Sequence, residues 1–250
     1  MHILLYCILG IIIPFVGTCI GSMLVFVLKK QISENFHKIT IGIAVGVMLA
    51  ASIWSLIIPS IEMSIDNYKF EWIPSVIGLC LGTLFLIMVD FFSSKIDDKK
   101  INMLNFSVTL HNIPEGMAVG VSFAGALAEN VGVSLISALV LAIGIGIQNI
   151  PEGAIISLPL YARGSKKIKA FMTGVISGMV EPVAAGITIF LVNIVVPILP
   201  YLLSFAAGAM IYVAIEELIP ELHTYKKNYI GIVSVIIGFI IMLILDVSLG

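Results

Sequence analysis

The stretch "LHNIPEGMAVG" (Leu110–Gly120) places a His, an Asn, a Pro and a Glu inside an apolar run. A near copy, "IQNIPEGAIIS" (Ile147–Ser157), follows 37 residues later inside another. The surroundings decide how the pair is read. Of 250 residues, 60% are hydrophobic and 11% charged, with a mean hydropathy of +1.15. Soluble domains carry about 25% charged residues. A chain this apolar needs lipid as its solvent.

Apolar runs of about 20 residues mark spanning helices. Eight are expected, at 3–28, 38–61, 72–93, 104–127, 131–161, 168–195, 199–220 and 228–247. They form one domain over residues 1–250, with no room for a soluble domain. Pro197–Pro200 reads as a tight turn between the sixth and seventh. The runs are continuous and do not alternate as barrel strands do, so the fold class is an all-α integral membrane protein.

Of the 13 Lys and Arg residues, all but Lys69 fall in connections 1–2, 3–4, 5–6 and 7–8 or at their edges. The positive-inside rule makes these cytoplasmic and puts both termini outside. The N-terminus lacks the basic region and cleavage site of a signal peptide and reads as the first span. Cys7, Cys19 and Cys80 show no C-x-x-C spacing and read as small buried hydrophobes. The basic residues are too thinly spread for a nucleic-acid surface. Lysine in place of arginine, with abundant isoleucine, points to an AT-rich bacterial genome and hence a bacterial cytoplasmic (inner) membrane.

Two internal repeats organise the chain. His111–Gly116 matches Gln148–Gly153 in adjacent spans four and five, which run in opposite directions. Gly46–Glu62 in span two resembles Gly208–His223 in span seven, also antiparallel. The expected plan is 3+2+3, with spans 1–3 and 6–8 as inverted copies around a central pair. Inverted repeats with interrupted helices near the midplane are a recurrent transporter plan.

On a helix of about 100° per residue, Glu115 lies about 40° and Asn112 about 100° round from His111. Gln148, Glu152 and Asn149 repeat that face. Each glutamate then has a nitrogen or amide donor on either side. It could serve one cation on the His/Gln side, another on the Asn side, or bridge both. Glu181, in "GMVEPVAAG", adds a third carboxylate midway along span six. Unpaired and ionised, each would cost several kcal/mol at that depth, and no Lys or Arg lies within the spans to pair with them. Either they are protonated or a cation completes the site. Pro114, Pro151 and Pro182 are expected to free the carbonyls of Leu110, Ile147 and Gly178. The donor set suits Zn2+, Fe2+, Mn2+, Cd2+ or Co2+ better than Cu+. No organic cofactor is implied.

"HNIPEG" followed by "QNIPEG" resembles the ZIP (Zrt-/Irt-like protein) family of divalent-metal transporters, in its bacterial GufA-like branch. The resemblance runs along essentially the whole chain. It implies uptake of Zn2+ into the cytoplasm through a binuclear site on spans four, five and six. His111, Glu115, Gln148 and Glu152 would form the principal site. Asn112, Asn149 and Glu181 would join the shared glutamates around the second, and Met48 matches a family thioether ligand. Many members have a His at the place of Gln148 and an acidic residue at that of Asn149. A homodimer is compatible with this reading.

A pathway is sketched by Glu62 and Ser55 along span two, on the outer side, and by Glu216, Glu217 and His223 along span seven, on the inner side. Asp90 and Asp246 stay unassigned. The rival reading is an intramembrane metal-dependent enzyme. It would call for a motif such as H-E-x-x-H, which is absent, and no second His lies within a span.

Overall fold

The computed structural model describes residues 2–27, 33–65, 69–93, 100–128, 133–162, 164–223 and 229–249. Lys29, Lys30, Lys95, Lys99, Arg163, Lys226 and Lys227, on which the orientation rests, lie outside the described residues, as do Asp66 and Glu129. Every regular element among the described residues is helical.

In chain order these are α1 (His2–Val27), α2 (Glu34–Ala51), α3 (Trp72–Ser93), α4 (Lys100–Leu127), α5 (Leu135–Ala162), α6 (Lys167–Gly178, resuming as Val180–Phe190), α7 (Leu199–Val213) and α8 (Ile230–Leu249). Two of them carry a wide turn. α2 passes through a π-helical turn at Ser52–Ile57 and finishes as Ile58–Glu62; α7 does the same at Ala214–Leu218 and finishes as Ile219–His223. Pro59 and Pro220 supply the cause. A proline's ring clashes with the carbonyl four residues back, here Ser55 and Glu216, and both lie within the widened turns.

The turn between α6 and α7 comes earlier than expected. α6 stops at Phe190, Leu191 leaves helical geometry (φ −89°, ψ 22°), and short helical pieces at Val192–Val195 and Val196–Ile198 lead into α7. Pro197 and Pro200 begin helices there and do not make the turn, since a first helical turn does not need the N–H that proline lacks. α4 and α5 continue as helix through Pro114 and Pro151. Only α6 breaks, at Gly178–Met179, just ahead of Pro182.

The molecule encloses a polar centre within its core and is apolar outside. α8 exposes Ile232, Ile236, Ile240 and Ile244, while Asn112, Glu115, Gln148, Asn149 and Glu181 are at most 2% exposed. Such an arrangement is stable only where the surrounding solvent is hydrocarbon. Among the described residues, seven helical stretches are long and apolar enough to cross a membrane. α4 is not among them, because its His, Asn and Glu lower its apolarity. In the candidate span on α5, 76% of the richest window is buried, against 28% on α3 and on α8. α5 is the axis of the molecule and α3 and α8 are its flanks.

Lipid gives helices no hydrophobic drive to associate, so close packing through small residues must do it. The main contacts fall into matched couples. α1 packs on α5 and α6 on α4; α2 packs on α8 and α7 on α3. The match extends to single residues. A Cβ at Gly46 would overlap the carbonyl oxygen of Val235, and one at Gly208 that of Leu79. A Cβ at Gly238 would overlap the carbonyl of Ile43, and one at Gly82 that of Phe205. Adding 162 carries α2 onto α7 (43 to 205, 46 to 208), and adding 156 carries α3 onto α8 (79 to 235, 82 to 238).

Candidate metal centre

Four helices bring the polar residues together. Gln148 on α5 donates Nε2 to Oε1 of Glu115 on α4 at 2.8 Å. Asn149, the next residue, donates Nδ2 to Oε2 of Glu181 on α6 at 2.7 Å and to the carbonyl of Pro14 on α1 at 3.4 Å. Thr18 on α1 donates to the other oxygen of Glu181 at 2.9 Å. Asn112 on α4 donates Nδ2 to the carbonyl of Ser177 on α6 at 3.2 Å.

Each amide therefore points its NH2 at a group that can only accept, a carboxylate or a backbone carbonyl. The leftover atoms are all oxygens. Among the described side chains, Asn112 Oδ1, Glu115 Oε2, Gln148 Oε1 and Asn149 Oδ1 are buried and accept no hydrogen bond. An unsatisfied buried polar atom costs about 1–3 kcal/mol, so oxygens of this kind in one neighbourhood call for a positive charge. Glu152, 7% exposed, is buried on the same helix as Gln148 and Asn149.

Close backbone approach builds this neighbourhood. Gly116, ending the first hexapeptide, lies so near α6 that a Cβ would overlap the carbonyl oxygen of Glu181. Gly153, ending the second, stands in the same way against the carbonyl oxygen of Thr18. The asparagines keep the same register, reaching Ser177 and Pro14, each four residues before Glu181 and Thr18. Thr18 on α1 thus occupies the place that Glu181 occupies on α6.

The remaining expected residues lie on α2, α4 and α7. Met48 is fully buried in the apolar core, and Met210, its mate on α7, is 1% exposed in the same core. Ser55, in the π-helical turn of α2, donates to Oδ1 of Asp246 on α8 at 2.6 Å. Glu62 and Glu216 are exposed. The backbones of His111, Glu217 and His223 lie on α4, α7 and the end of α7, and their side chains lie outside the described residues. No group of three or more His, Cys, Asp or Glu gathers as a metal cluster among the described residues; the donors that do gather there are carboxylates and amide oxygens.

Sequence reasoning missed Thr18, the Pro14 carbonyl and the Ser55–Asp246 bond. The spacing Gly17-Thr18…Gly21-Ser22 on α1 was the available signal. Small residues one turn apart mark a close helix contact in a membrane.

Fold and site together define an all-helical, multi-pass membrane protein with an oxygen-rich polar centre shared by a repeated pair of helices. The family model described as ZIP Zinc transporter matches residues 100–246. The chain is 32% identical to Zinc transporter ZIP11 of Xenopus tropicalis, over 97% of this chain and 96% of that protein. It is 33% identical to Zinc transporter GufA of Myxococcus xanthus (94% and 95% covered) and 33% to Zinc transporter ZIPB of Bordetella bronchiseptica (98% and 82%). The chain belongs to the ZIP zinc transporter family.

Proposed function

We propose that this chain carries Zn2+, with Fe2+, Mn2+, Cd2+ and Co2+ as further substrates, across a bacterial cytoplasmic membrane into the cytoplasm. The observation that carries the reading is the set of buried oxygens without donors at the meeting of α4 and α5. Two carboxylates bonded to amides, with buried amide oxygens left without donors, form a site that a hard or borderline dication fits. His111, Glu115, Gln148 and Glu152 hold one ion. Asn112, Asn149 and Glu181, with the shared glutamates, hold a second. Met48 adds a thioether in the family's manner.

α4 crosses the membrane with the other seven helices, giving eight spans in a 3+2+3 plan with both termini outside. The matched helix couples and the paired π-helical turns support that plan. Glu62 and Ser55 lie on the entry side, Glu216, Glu217 and His223 on the exit side. Access alternates by rocking or sliding of the bundle containing α4 and α5, and the glutamates exchange protons for metal, because ligating carboxylates must be deprotonated. The relatives are named transporters, which favours transport over a metal-dependent enzyme.

The test is 65Zn2+ uptake into proteoliposomes by wild type, His111→Ala and Glu152→Ala. Uptake by the wild type, lost in both folded variants, is expected. A wild type that binds Zn2+ and never moves it would sink the transport reading and favour a membrane metalloenzyme or a structural site.

A further inference from the structure

The two halves of the central site keep one register, and beyond His111 and Gln148 they part at a further position. Asn112 and Asn149 hold the same place in the two hexapeptides and reach equivalent carbonyls, Ser177 on α6 and Pro14 on α1. Gly116 and Gly153 hold the next shared place and lie against equivalent carbonyls, those of Glu181 and Thr18. One turn beyond each asparagine's carbonyl, one half carries a carboxylate and the other a hydroxyl. These two unlike mates touch, with Thr18 Oγ1 donating to Glu181 Oε1 at 2.9 Å, and both residues are 1% exposed.

We propose that Thr18 is a positioning residue for the central cation site, fixing the Glu181 carboxylate from α1 while Asn149 fixes it from α5. A lone glutamate on a helix can turn about several side-chain bonds, and each orientation lost on binding an ion weakens that binding. Here one donor holds Oε1 and another holds Oε2. Each oxygen keeps further lone-pair capacity for a cation. Thr18 Oγ1 also lies 3.5 Å from the carbonyl of Pro14, one turn back on its own helix. A second carboxylate at this position would place two like charges at bonding distance; threonine supplies a donor there.

The inference rests on the reading of Glu181 as a ligand, and the experiment separates the two. Zn2+ binding to the purified full chain is followed by isothermal titration for wild type, Thr18→Val, Thr18→Ser, Glu181→Gln and the Thr18→Val/Glu181→Gln pair. Valine keeps the shape and removes the hydroxyl. It weakens binding by about tenfold, the size expected for a lost bond to a charged group. Serine restores binding, and valine has no further effect when Glu181 is already glutamine. Binding by Thr18→Val equal to wild type overturns the proposal, as does a valine effect that persists in the glutamine background. Should valine prevent folding, Thr18→Ala is read the same way. Wild-type protein that binds no Zn2+ overturns instead the reading of the site beneath it.

Discussion

Gln148 donates to Glu115 at 2.8 Å, so the two hexapeptides are tied together by the residue at which they differ, glutamine in one and His111 in the other. Gln148→Glu removes that donor and sets two carboxylates side by side. The variant is expected to melt below wild type in chelator and to gain more from added Zn2+, because a cation relieves the repulsion only in the folded state. Thermal melting in detergent, with and without Zn2+, measures both. An equal metal-induced shift in the two proteins would refute the prediction.

Gly116→Ala and Gly153→Ala should cost alike. Each would drive a methyl group into a backbone carbonyl, of Glu181 or of Thr18, and backbone has little room to give. Overpacking of this kind costs about 1–3 kcal/mol. Chemical denaturation in mixed micelles should find the two losses within error of each other. A large loss in one and none in the other would show the register to be unequal.

Ser55→Ala leaves Asp246, 9% exposed, without the hydroxyl that now donates to it at 2.6 Å. The expected loss is about 1–3 kcal/mol. Asp246→Asn should be milder, since its amide oxygen still accepts from Ser55. A double-mutant cycle over the two positions measures their coupling, and a coupling of zero would mean that the bond does not form.

Orientation is tested by cysteine labelling on intact cells, after replacing Cys7, Cys19 and Cys80. A membrane-impermeant maleimide is expected to reach cysteines placed at Lys69 and Ser134 but not at Ser33 or Lys166. Labelling of Ser33→Cys before lysis would reverse the proposed topology.

The hexapeptides were legible in the sequence because an ionisable group in an apolar run stands out against everything around it. The α2–α7 likeness was legible through its Gly, Met and Pro. Thr18 was not, since a hydroxyl is cheap in a helix that can bond its own carbonyl one turn back, and the sequence offers no contrast. The π-helical turns were also hidden, for a turn widened by one residue leaves composition untouched. The mates α3 and α8 share an Asp near one end and a Gly two turns before it. Their likeness emerges only once both are seen against their neighbours, because apolar side chains facing lipid are freely interchangeable. Ser55, read as part of an outer pathway, is engaged by an aspartate on another helix, a partner no local pattern could name.

The matched couples have a consequence for how the protein is made. α1 waits for α5, α2 for α8, α3 for α7 and α4 for α6, so no principal couple joins neighbours in the chain. During synthesis the early helices must lodge in the membrane with their glycine-lined faces bare, and loop closure over such separations is slow. A nascent chain halted after α7 would hold nearly all of its spans and still leave Gly46 facing lipid. Assembly should then be a late, concerted event, and helices awaiting partners are natural clients for an insertion factor that shields small-residue faces until α8 emerges.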